Sequence, residues 1–243
     1  MEAMIILSKL TAKTLLTELR KCVQPDKAAF LPEFFQCYPG GYGEGNKFLG
    51  VVVPEQRKIA KAFREMPLVE LSLALRSPWH ESRLTALFIL VHRFEKSVDP
   101  TRTKIYEFYL EHLDYVDNWD LVDTSSRHIV GEYVYEQIAN RSVLFELARS
   151  GNLWRERAAV VATHALIKRH EFNEIRSLAK LFLQHPHDLI HKAVGWMLRE
   201  MGEMDERQLK DFLEQYAKQM PRTMLRYAIE KFPKQLRQKF MER

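Results

Sequence analysis

The chain has 243 residues, 46% hydrophobic and 28% charged, enough apolar side chain for a sizeable core and enough charge for a well-solvated surface. No apolar run reaches the roughly 18 residues of a membrane span, which excludes a membrane-spanning chain and leaves no membrane partner to expect. A net charge of +5 tolerates a polyanionic partner without demanding one.

Along the chain the apolar spacing is helical almost throughout. The opening Met1-Glu-Ala-Met-Ile-Ile-Leu-Ser-Lys9 has neither a basic n-region nor a full apolar h-region, so a cytoplasmic protein is expected. Helices are expected to begin near Thr11, Lys27, Pro54, Leu68, Pro78, Thr101, Asn118, Arg141, Asn152, Phe172, Asp188, Asp205, Pro221 and Pro233, where caps and first-turn residues cluster. Two cysteines, Cys22 and Cys37, form neither a disulfide framework nor a metal knuckle, and point to a reducing compartment. The stretch Tyr38-Pro-Gly-Gly-Tyr-Gly-Glu-Gly-Asn46 reads as a flexible loop. It lacks the glycine spacing and preceding strand of a dinucleotide site, and no Gly-Lys-Ser/Thr follows. Val51-Val-Val53 is the one β-branched run, ended by Pro54.

From Pro78 onward the longer helices recur about every 35 to 40 residues, each followed by a second helix, the period of stacked helix pairs. The expected fold is therefore all-α: an α-solenoid of antiparallel helix pairs (HEAT-like repeats) with a concave basic face, in one domain over residues 1–243. Its last part, 221–243, is a basic helical segment with seven Lys or Arg against Glu230 and Glu242, an excess equal to the net charge of the whole chain. A solvated face and a contact to a nucleic-acid backbone both suit that segment.

The nine histidines offer one metal-like spacing, His187 and His191 at i,i+4 near His185, but no carboxylate or Cys nearby completes it, and no metal site is expected. Ser125 and Ser126 fall inside a helix, not on the strained elbow of a hydrolase.

Three stretches carry chemistry. Asn118-Trp-Asp-Leu-Val-Asp123 puts Trp119 and Asp123 on one helix face, Leu153-Trp-Arg-Glu-Arg157 supplies a fixed guanidinium, and Lys192-Ala-Val-Gly-Trp196 adds another indole beside a cation. Aromatic ring, carboxylate and guanidinium together suit an electron-poor, anionic substrate such as damaged DNA. Each residue has a plainer reading as well. Asp123 favours the helix dipole and has Arg127 at i+4, Arg157 can lie over apolar surface, and tryptophans are mostly core, as Trp154 is expected to be.

With these stretches, and with Lys47-Phe-Leu-Gly-Val-Val-Val-Pro-Glu-Gln-Arg57, the chain resembles the DNA alkylation repair family, AlkD-like helical-repeat DNA glycosylases that remove bases alkylated at N3 or N7. The resemblance implies double-stranded DNA carrying alkylated purines as partner, no cofactor, and a monomer. It assigns Asp123, Trp119 and Trp196 to catalysis and Arg157 to a backbone phosphate, with Lys192 on the same basic groove, together with an approach from the backbone of the lesion and not through a deep pocket. An alkylated base is already a good leaving group, so what remains is to stabilise a sugar cation. A carboxylate and indole faces do that. The chain departs from many members at Phe34-Phe35-Gln36, where they carry Phe-Phe-Lys. A DNA-binding relative without excision and a protein-binding α-solenoid are the alternatives. The carboxylate argues against the first and Arg155, Arg157, Lys192 and Arg199 against the second.

Overall fold

The structure, a computed structural model, describes residues 10–242, so the leader reading of residues 1–9 and the last cation of the basic tail lie outside the described residues. Among the described residues the chain is all-α, and β pairing is confined to an isolated parallel bridge between Lys47 and Trp79. It divides into two compact units, Met1–Ser125 and Ser126–Arg243, within the span expected to form one domain.

The first unit holds α1 (Ala12–Arg20), α2 (Pro25–Phe34), α3 (Val53–Ala62), α4 (Leu68–Leu75), α5 (His80–Lys96) and α6 (Thr101–Glu111), and α7 (Trp119–Ser126) runs to its boundary. Thr11 starts α1 through a capping box with Thr14, and Pro25 and Pro54 occupy the first turns of α2 and α3. The centre is α5. Its run Leu84-Thr-Ala-Leu-Phe-Ile-Leu90 is buried throughout, and α1, α3, α4 and α6 pack around it. The helix start expected at Pro78 is delayed to His80, because Trp79 is extended and the Lys47 backbone pairs with Pro78 and His80 instead.

The valine run forms no strand. The N–H groups of Leu49, Gly50 and Val51 turn to a buried carboxylate: Glu81, 1% exposed in the first turn of α5, accepts all three at 2.8–3.2 Å. Gly50 is required there. Its φ of +88° favours glycine, and a Cβ would stand 2.5 Å from the Gln24 carbonyl oxygen and the Ala28 nitrogen.

The second unit opens with a π-helical turn, Arg127–Gly131, continuing into α8 (Glu132–Glu136), then α9 (Ser142–Ala148), α10 (Leu153–Ile167), α11 (Asn173–Leu181), α12 (Asp188–Met204), α13 (Glu206–Tyr216), α14 (Arg222–Ala228) and α15 (Lys234–Met241). Side-chain caps fix the main starts: Asn152 receives the Trp154 and Arg155 N–H groups, His187 that of Leu189, and Asp205 those of Arg207 and Gln208. α10 packs on the π turn, α9 and α12, and α12 packs in turn on α13 and α14. Gly195 lets α12 and α14 touch, since a Cβ would lie 2.5 Å from the Met224 carbonyl oxygen. The basic tail is thus two short helices, anchored through buried Met224, Leu225 and Phe240.

Removing the Glu81 carboxylate strands three buried backbone donors. Glu81→Ala is expected to cost about 3–5 kcal/mol, and Glu81→Gln, which keeps one acceptor oxygen, about half of that. Urea denaturation checks both, and an alanine variant within 1 kcal/mol of the parent would show that the loop finds other partners.

Candidate functional site

In the first unit the site begins at Asn118, whose side-chain oxygen accepts the Trp119 N–H and so starts α7. The Trp119 ring, half-buried, stacks on Phe35 at 5.3 Å between centroids and 25° between planes, and meets Phe34 at 6.1 Å edge-on. Phe35 also stacks on Phe48 at 5.0 Å and 14°, and both rings meet His80, at 5.1 and 4.5 Å, in one cluster. The cluster ends on polar partners: His80 Nε2 lies 2.8 Å from Asp120 Oδ2, and Nδ1 3.2 Å from Asn46 Oδ1. Buried Arg83 donates to Asp117 Oδ1 at 2.5 Å and to Asn46, tying the end of the glycine loop to α5. Asp123 stands one turn beyond Trp119 on the same face of α7, half-buried, and the π turn follows four residues later. Such irregular turns recur at functional sites.

In the second unit Trp196 lies half-buried on α12, its indole N–H donating to Glu200 at 3.0 Å. Glu200 is a hub, with Lys168 Nζ at 2.7 Å and His164 Nε2 at 3.8 Å. Burial pushes the Glu200 carboxyl up, but the hydrogen bonds from Lys168 and Trp196 outweigh it and hold the group below its ordinary value. Burial, with Arg127 and Lys168 adding like charge, lowers His164 to about 4. Lys192 is half-buried and pairs with Asp188 at 2.8 Å; Arg199 pairs with Glu230. Arg157 is buried. It is 5% exposed, and its guanidinium donates to the Leu189 carbonyl at 2.5 Å, joining α10 to the start of α12. Trp154 is core, as expected.

The histidine cluster has structural tasks. His185 meets Glu156 at 3.0 Å, His187 caps α12, and His191 donates to the His185 carbonyl. Among the described residues no group of three or more His, Cys, Asp or Glu stands ready for a metal ion.

Sequence reasoning missed the His80–Asp120 pair, the Arg83 clamp, and Glu200 as the partner of Trp196. For Glu200 a signal existed, an acid four residues after an indole on one helix.

Paired helices, and a Trp–Asp face backed by a buried aromatic cluster, define an all-α protein among the described residues. The sequence pattern of the DNA alkylation repair enzyme family matches residues 15–232, and the chain belongs to that family. Among solved structures, a protein from Enterococcus faecalis described as a predicted DNA alkylation repair enzyme superposes with a TM-score of 0.68 at 15% identity. The match covers 87% of this chain and 97% of that one, so the helical architecture is shared. No curated protein matches the chain.

The His164 shift has a sign that can be checked. Its folded value lies below the ordinary 6.5, so between pH 6.5 and about 4 the unfolded chain takes up a proton that the folded chain refuses. Stability is full above that window and falls through it, by about 2–3 kcal/mol for this group. His187, lowered by burial and by His185, adds to the same slope, while Glu200 contributes only below its ordinary 4.5. His164→Gln is therefore expected to flatten most of the loss between pH 6.5 and 4.5 in urea melts, and an unchanged slope would place the titration elsewhere.

Proposed function

We propose that the protein is a monomeric DNA glycosylase acting in the cytoplasm, hydrolysing the N-glycosidic bond of N3- or N7-alkylated purines in double-stranded DNA without a cofactor. The observation that carries this reading is Asp123, a half-buried carboxylate one turn from the Trp119 ring on one helix face, in a chain of the DNA alkylation repair enzyme family.

An alkylated purine bears positive charge, so the bond to C1′ is already weak and the base departs with the bonding electron pair as a neutral heterocycle. Positive charge passes to the deoxyribose. Asp123 opposes that charge and orients the water that adds to C1′, whose proton goes to the carboxylate or to solvent. The indole face of Trp119 attracts a developing cation by about 0.5–2 kcal/mol, and the resemblance assigns Trp196 the same role. The Glu200 hydrogen bond holds the Trp196 ring in one orientation.

Of the two cations assigned to DNA, half-buried Lys192 is nearer the surface than Arg157 and is the one to meet a phosphate. Arg157, through the Leu189 carbonyl, sets the start of the helix that carries Lys192 and Trp196, so its contribution to binding includes that support. The tail helices α14 and α15 add sequence-independent attraction for the backbone.

The test is incubation of pure protein with methylated duplex DNA and analysis of the released bases. Asp123→Asn is expected to keep DNA binding and to slow release by about a hundredfold or more, the scale of one lost preorganised electrostatic contact. Release at the parental rate would remove Asp123 from the mechanism. Release is also expected to survive EDTA; loss on chelation with recovery on adding zinc would overturn the metal-free reading.

A further inference from the structure

Within the first unit, α3 and the C-terminal half of α5 border a cavity of about 260 Å³. Its floor is Ala60 and the Phe88 ring, both buried. Its rim is cationic. Arg57, Lys61 and Arg64 follow one another at i, i+4 and i+7 along α3 and the turn that ends it, and His92 lines the same cavity from α5; all four are exposed.

A row of cations on a surface helix is ordinarily a solvated face, with acids interspersed to balance it. Lys58, which does not line the cavity, is balanced in that way by Glu55 at 2.6 Å. The cavity side differs. Among the described residues no carboxylate lies within ion-pair distance of Arg57 or Lys61, and Arg64 has only its exposed sequence neighbour Glu65, at 3.5 Å. The helix dipole favours a cation in the last turn, which accounts for Lys61 and not for Arg57. Arg57 instead lies 4.1 Å over the Phe88 ring, a contact that fixes the guanidinium above the cavity floor and leaves its charge unneutralised.

An anion that meets three cations at once must carry more than one charge in a small volume, because the row extends only about 10 Å along the helix. A phosphate monoester carries about −1.5 to −2 at neutral pH, whereas each phosphodiester of a nucleic-acid backbone carries one charge. The apolar floor asks for an organic group on the ester, and a volume below the roughly 300–1,000 Å³ of pockets for drug-sized ligands keeps that group small. We propose that this groove binds a small organic phosphate monoester, with the phosphate among Arg57, Lys61 and Arg64 and the organic part over Ala60 and Phe88. Arg57 offers the planar fork of donors that matches two phosphate oxygens, and Lys61 a point charge beside it. The groove shares no residue with the Trp119–Asp123 face and does not depend on the glycosylase reading.

The full chain is titrated in a calorimeter with adenosine 5′-monophosphate as the monoester, cyclic 3′,5′-adenosine monophosphate as the diester and adenosine as the uncharged control. Saturable binding of the monoester with a Kd of about 0.1–1 mM is expected, with the diester about tenfold weaker and adenosine not saturating. Arg57→Gln is expected to weaken the monoester about tenfold and Lys61→Ala about fivefold. Lys58→Ala, at the cation already paired with Glu55, is expected to leave the Kd within about twofold of the parent. All three positions are exposed, so the variants fold, as thermal melts check. Absence of saturation with the monoester, equal binding of the diester or of adenosine, or an unaltered Kd in Arg57→Gln overturns the proposal. The same variants are titrated with an undamaged DNA duplex. Duplex affinity that is retained in Arg57→Gln and Lys61→Ala supports the monoester site; duplex affinity that falls as far as monoester affinity shows that the row serves the DNA backbone, and defeats it.

Discussion

The Glu81 carboxylate is the constraint on which the geometry of the first unit depends. Three consecutive backbone N–H groups, at Leu49, Gly50 and Val51, end on it at the buried start of α5. Those bonds hold residues 47–51 as an ordered clamp between α2 and α5, with Gln24 N–H closing the other side on the Gly50 carbonyl. Phe48 sits inside that clamp, Phe35 stacks on Phe48, and Trp119 on Phe35. An aromatic ring that takes part in chemistry must be held by its neighbours, because its own two torsions are soft. The orientation of Trp119 is thus set by a carboxylate several residues removed from it in space and 38 positions away in sequence.

The second unit uses acids in the same manner. Glu156, in the first turn of the long inner helix α10, is buried against His185, and Glu200 gathers Trp196, Lys168 and His164 on α12. In α5 and α10 alike the acid stands at the positive end of the helix, where the macrodipole favours it and where its fixed charge faces the preceding loop. Helix pairs bury apolar faces without specifying one lateral register. A buried carboxylate that must meet particular donors adds that specification, since a slipped pairing leaves charge without partners.

Much of the fold was legible because its signals are local. Thr11, Asn152 and Asp205 sit at caps and Pro54 in a first turn, and a helix boundary needs little else, though α2 starts at Pro25, two residues before the expected Lys27. Sites built across 30 to 40 residues were not legible: His80 with Asp120, Arg83 with Asp117, and Glu81 with the 49–51 clamp leave no spacing that marks them. The valine run shows the same limit, since its backbone donors are satisfied by a side chain on another helix. Arg157 shows it most sharply. A cation in a charged tetrad reads as surface, but α10 is buried on nearly all sides from Ala158 to Thr163, and the guanidinium is drawn in with it to a backbone carbonyl.

That accounting changes where attraction for a polyanion resides. On α10 and α12 the cations once read as an open basic groove have partners: Arg157 the Leu189 carbonyl, Arg199 the Glu230 carboxylate, Lys192 the Asp188 carboxylate. These partnerships are unequal. A partly exposed i,i+4 pair such as Lys192–Asp188 contributes about 0.3–0.5 kcal/mol, so its ammonium is released at little cost. A buried guanidinium cannot be withdrawn from its carbonyl without stranding charge. On the proposed DNA reading, long-range attraction is concentrated on the tail helices, where the net positive charge of the sequence lies, and the α12 surface adds a contact only once a backbone is near. On that same reading encounter is sensitive to salt, while Trp119 is set by ring packing and Trp196 by its hydrogen bond to Glu200, which salt screens much less.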